Sequence, residues 1–173
     1  TLTSPCCVFG PNPAYMGGDT GALKAALPLA NKQPTNIAVD DRGYVYVPNG
    51  SVSGSVTIYN SQLSSVVSNF GTFSNSNVGR GIKVLKVGSE YYAYFSTNVG
   101  IIQRWNVTNY ESPTLYTSWG TTAEGDAANG TIDIKTVPGW SGASNIGLTV
   151  DVDGTLYLVG TVSFTENVFK IMN

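Results

Sequence analysis

The chain of 173 residues contains no histidine. That removes the commonest general base, and with it any Ser-His-Asp arrangement for nucleophilic catalysis. Cysteine is nearly as scarce: Cys6 and Cys7 stand alone and adjacent. Neighbouring cysteines cannot build a framework of closed loops. A strained vicinal ring, pairing with another chain, and two reduced, small apolar residues at a strand edge all stay open. With no histidine and no third cysteine, a zinc site lacks ligands. Charge is thin as well. Asp, Glu, Lys and Arg make up 12% of the residues and leave a net charge of −2. A typical share is about 25%. Without a basic stripe there is nothing to hold a phosphate backbone, so nucleic acid is not an expected partner. No apolar run approaches the ~18 residues of a membrane span. Thr1-Leu2-Thr3-Ser4 has neither the basic nor the long apolar region of a signal peptide, so the chain reads as mature or as a fragment.

What is present is a hydrophobic share of 42%, enough for a sizeable core. The surface is left to Ser, Thr, Asn, Gln, Tyr and Gly. That composition suits an extracellular or cell-surface protein. N-glycosylation sequons fit the same setting, at Asn49, Asn106 and Asn129.

One phrase occurs twice. Ile37–Val47 reads IAVDDRGYVYV and Leu148–Leu158 reads LTVDVDGTLYL, an offset of 111 residues (148 − 37). Each is a β-forming run, an Asp-containing turn closed by glycine, and a second β-forming run, which is a hairpin. Asp40 and Asp151 sit where a carboxylate caps turn amides. A third copy, Ile82–Phe95, has Gly88 in its turn and no aspartate. Each copy leads to a short strand ending in asparagine, at Asn60, Asn106 and Asn173. Two continue to a fourth stretch, ending at Phe70-Gly71 and Trp119-Gly120. The unit is four short antiparallel strands in about 40 residues, the period of a propeller blade. The expected fold is all-β: one domain over 1–173, with units near 34–71, 80–120 and 145–173. N-terminal strands are expected within 6–31, a helix being the alternative over 21–31, and an irregular insertion at 121–144. In that insertion, 130–137 suits a strand of a worn fourth blade. A small closed ring, a fragment of a larger propeller, and an open protomer completed by a neighbour's strand are all compatible with this count.

The run PTNIAVDDRGYVYVPNG…GSVTIYN resembles the NHL-type repeat, and more loosely the blades of gluconolactonase-type propellers. The second resemblance implies a metal-dependent hydrolase or lyase with acidic and amide ligands around a central channel. No residue-by-residue set of such ligands maps onto this chain.

The acidic residues show no spacing that selects a catalytic pair. Asp151 and Asp153 are candidate calcium ligands, although an EF-hand loop is excluded because its twelfth position is Val162. Turn capping is the competing reading. The chain holds three tryptophans and ten tyrosines. Most fall on repeat positions, where packing between sheets explains them. Trp140 and Tyr110 lie off the repeated strands and are the candidate ligand-binding aromatics. The expectation is a non-enzymatic, secreted or surface-displayed repeat protein acting in binding or assembly, as an adhesin, filament or scaffold subunit. Its partners would be other subunits, including copies of itself, or surface glycans. No organic cofactor is expected, and calcium is the one candidate ion. The alternative is the gluconolactonase-like enzyme.

Overall fold

The computed structural model describes residues 34–50, 55–71, 78–119, 130–137, 140–162 and 165–171, the last segment by its backbone alone. It is all-β, with 55% strand and 3% helix. The strands form three antiparallel sheets that follow one another along the chain. The first runs β1 (Ala38–Val39), β2 (Val45–Pro48), β3 (Val56–Tyr59) and β4 (Val66–Phe70) in sequential order. The second runs β5 (Gly79–Val87), β6 (Glu90–Thr97), β7 (Ile101–Asn106) and β8 (Thr114–Leu115), with β9 (Thr131–Asp133) also pairing β7. The third is β10 (Ser144–Val150), β11 (Leu156–Val162) and β12 (Thr165–Ile171). The three hairpins and the strands after them lie where the repeat predicts, with β5, β10 and β11 running beyond the repeated phrases. Among the described residues the sheets do not close into a barrel or ring.

The segment 130–137 departs from expectation. β9 extends the second sheet through Ile102↔Ile132 instead of starting a fourth. Its approach depends on Gly130, at φ +80°, where a Cβ would lie 2.7 Å from the Tyr116 carbonyl oxygen. A one-turn 3-10 segment, Ile134–Thr136, follows and buries Ile134. Residues 1–33, with Cys6, Cys7 and the expected N-terminal strands, lie outside the described residues, as does Asn129.

The second sheet is buried on both faces. Strand alternation sends Tyr91, Ala93 and Phe95 to one side and Tyr92 and Tyr94 to the other. The first set packs, with Trp105, against Ala38, Tyr46, Val56, Ile58 and Phe70 of the first sheet. The second packs, with Ile102, against Ile146, Val150, Leu156 and Leu158 of the third. The first strands of neighbouring sheets meet, β5 touching both β1 and β10. A Cβ on Gly81 of β5 would lie 2.8 Å from the Leu148 amide nitrogen of β10. The Ser96 hydroxyl, donating to the Ile146 carbonyl, ties the same two sheets.

Candidate functional site

The two copies of the aspartate turn are built alike. In the first, the N–H groups of Arg42 and Tyr44 donate to Asp40 Oδ1, each at 3.0 Å, and the Tyr46 hydroxyl donates to Oδ2 at 2.9 Å. In the second, the N–H groups of Asp153 and Thr155 donate to Asp151 Oδ1 at 3.0 and 2.9 Å, and the Tyr157 hydroxyl to Oδ2 at 3.2 Å. Gly43 and Gly154 close the turns at φ +86° and +84°, a conformation that costs glycine little.

The copies differ in what they reach. Arg42 donates from Nε and Nη2 to Asp40 Oδ2 at 2.9 and 2.7 Å. It then crosses to the second sheet, donating to the Thr108 and Val107 carbonyls at 2.8 and 3.0 Å. Its guanidinium carbon lies 3.7 Å from the Tyr91 ring centroid, with Tyr44 and Tyr110 at 5.3 and 5.6 Å. Tyr44 and Tyr110 stack at 3.9 Å. The neighbouring Tyr110 hydroxyl, together with burial, pushes the Tyr44 phenol up to about 12. Beside this knot the Tyr91 hydroxyl donates to Asp41, and chiefly through that bond holds the exposed Asp41 carboxyl below its ordinary value. Lys86 adds an ion pair to Asp41 at 3.2 Å.

Between the first turn, β5 and the second turn lies a recess of about 410 Å³, within the roughly 300–1,000 Å³ of ordinary ligand sites. Lys83, Lys86, Val39, Asp41, Asp151 and Val152 line it, over Tyr91 and Val150. Val39 and Val152 are exposed, at 57% and 85%. The Lys83 ammonium has no hydrogen-bond or ion-pair partner among the described residues.

The residues singled out from sequence are not gathered at this recess. Asp151 is at its rim, but both carboxylate oxygens already take the turn's amides and Tyr157. Calcium there would have to displace those donors, and Asp153 is exposed. Among the described residues no three His, Cys, Asp or Glu side chains cluster as a metal would require. Trp140 is not a surface aromatic. Successive turns, with Trp140 N–H donating to Val137 O and Ala143 N–H to Trp140 O, curl its loop inward. Its ring is buried in the core with Trp119 and Ile134. Tyr110 is half-buried in the Arg42 knot. Asn49 is buried, its backbone N–H donating to Ser55 O at 2.7 Å, and a glycan there would have to displace its surroundings. Asn106 is half-buried and accepts from the Thr108 amide. Arg42 and Lys83 stand at the centre of this region, and no sequence motif picks out either. The mismatch between Arg42 and Asp153 at equivalent turn positions is the signal that marks Arg42.

No family model and no curated protein matches the chain. Among solved structures, it is similar to the crystal structure of the computationally designed Ika4 protein. The two share 11% identity with a TM-score of 0.47, over 88% of this chain and 99% of that one.

Proposed function

We propose that this is a secreted or surface-displayed, non-enzymatic protein of NHL-like blades that acts by assembly, its third sheet taking up a further β layer from a neighbouring copy. The observation that carries this reading is a difference between equivalent faces. Ala38, Tyr46 and Pro48 share the face of the first sheet that packs on the second. The offset of 111 places Thr149, Tyr157 and Val159 at the same positions of the third sheet (149 − 38). Tyr46 is 0% exposed and Pro48 is buried, whereas Tyr157 and Val159 are 36% and 50% exposed. A groove of about 360 Å³ runs over this open face, and Asn36 reaches into it. Among the described residues β12 also carries no fourth strand, leaving a hydrogen-bonding edge of the kind that proteins usually cover. Low charge and abundant Asn, Ser and Thr support the extracellular setting.

Light scattering of the native protein tests this. Assembly predicts a particle larger than one chain that Val159→Asp dissociates. If Cys6 and Cys7 reinforce the contact, reductant shifts the equilibrium further. If residues 1–30 of the same chain supplied the layer instead, the protein would be a monomer destabilised by their deletion. A monomer indifferent to both changes would sink the reading altogether.

A further inference from the structure

A second arginine lies in a different predicament. Arg104 is on β7, directly opposite Tyr94 in register. Both of its backbone polar groups are engaged, the N–H donating to Gly130 O at 3.2 Å and the carbonyl accepting from Tyr116 N–H at 2.9 Å. The residue is 8% exposed. Its guanidinium carbon lies over three tyrosine rings, at 4.0 Å from the centroid of Tyr92, 4.7 Å from Tyr116 and 5.3 Å from Tyr94.

Ring faces favour the cation, but they do not replace oxygen acceptors for five N–H donors. No carboxylate among the described residues pairs with Arg104. Its Nε is closed off from solvent with no acceptor, and so is the Tyr94 hydroxyl. Among the described residues Arg104 makes no side-chain hydrogen bond, and neither terminal nitrogen is both closed off and unpartnered, so both touch solvent. The one acid of β6, Glu90, is engaged by the Tyr92 hydroxyl and by Asn106 Nδ2. A buried guanidinium without a counter-ion is costly. Here the donors of a planar fork, and a phenol that can donate beside it, lack the same thing: an oxygen anion.

We propose that Arg104, Tyr94 and the rings of Tyr92 and Tyr116 form a binding site for a carboxylate. The anion lies against the terminal nitrogens of Arg104, which meet a carboxylate's two oxygens in a bidentate pair. The aromatic walls hold the fork in place, so little side-chain entropy is lost on binding. The Tyr94 hydroxyl turns towards the same anion directly or through one water. This site stands independently of the third sheet's role in assembly.

The probe is sodium acetate, exchanged against sodium chloride at constant ionic strength, with the full-length protein. The readout is the Arg104 Nε–H resonance of ¹⁵N-labelled protein. A saturable shift is expected, together with a melting temperature that rises with acetate. Arg104→Met should abolish the thermal response, and Tyr94→Phe should weaken acetate binding by about tenfold or less, as loss of one hydrogen bond implies. Should Arg104→Met fail to fold, Tyr94→Phe alone decides, because it removes one oxygen and leaves the cation. A resonance that does not move with acetate, or a melting response identical in wild type and Tyr94→Phe, overturns the proposal.

Discussion

Arg42 and Arg104 are each surrounded by three tyrosines, and there the likeness stops. Arg42 has a carboxylate 2.7 Å away, two backbone carbonyls from the next sheet, and 22% of its side chain exposed. The Arg104 guanidinium has rings and, among the described residues, no acceptor. The aromatic faces are therefore not what makes a buried arginine tolerable, since both have them. The difference is whether the in-plane donors find oxygen. Where they do, the residue becomes a tie between sheets. Where they do not, the same side chain is a receptor in search of an anion.

The largest expected effect comes from removing the counter-ion that Arg42 has and Arg104 lacks. Asp40→Ala strips two turn amides and the Tyr46 hydroxyl of their acceptor and strands a largely buried cation. A loss of about 3 kcal/mol is expected in denaturant unfolding. Arg42→Met should cost less, about 2 kcal/mol, because Asp40 keeps its turn amides and Tyr46. The same truncation in the other copy, Asp151→Ala, involves no arginine and should cost about 1 kcal/mol. If Asp40→Ala and Asp151→Ala prove equal, the Arg42 tie contributes nothing. Arg104→Met, by contrast, removes an unpaired buried charge and should leave stability without acetate within about 1 kcal/mol of wild type, or raise it.

The smallest effect concerns protons. Asp41 should titrate below its ordinary 3.8, and Tyr91→Phe should bring the midpoint back up, followed by carboxyl NMR. A carboxylate depressed in the folded state stabilises it above that unfolded value. The contribution fades as pH falls below 3.8 through the folded midpoint. Asp41 is exposed, so the change in global stability should be slight. A midpoint unmoved by Tyr91→Phe would mean that Lys86, not the phenol, governs it.

The hairpins were legible because their signals are local. Alternation, Asp-Gly chemistry and the 111-residue echo all sit within a dozen residues of the turn they specify. The fate of 130–137 was not, because a three-residue strand chooses its partner by what lies across space. Gly130 tucking under Tyr116 decides it, and no short window of sequence carries that. Trp140 failed for a related reason. A Pro-Gly-Trp-Ser-Gly loop looks exposed by composition, while two backbone hydrogen bonds turn its ring inward. The arginine clusters were the least legible. Each draws tyrosines from separate stretches of the chain, so neither leaves a motif.

The burial of both faces of the second sheet has a consequence for how the molecule opens. The outer sheets each touch it with one face, so either can loosen while the other core persists. β6 belongs to both cores and cannot be released without breaking both. Its central amides, from Tyr92 to Phe95, should therefore exchange with deuterium only in the rarest and most global openings, while the third sheet breathes through smaller ones. A chain assembled from similar units would then have a hierarchy of local lifetimes, set by position in the stack more than by the strength of any single strand.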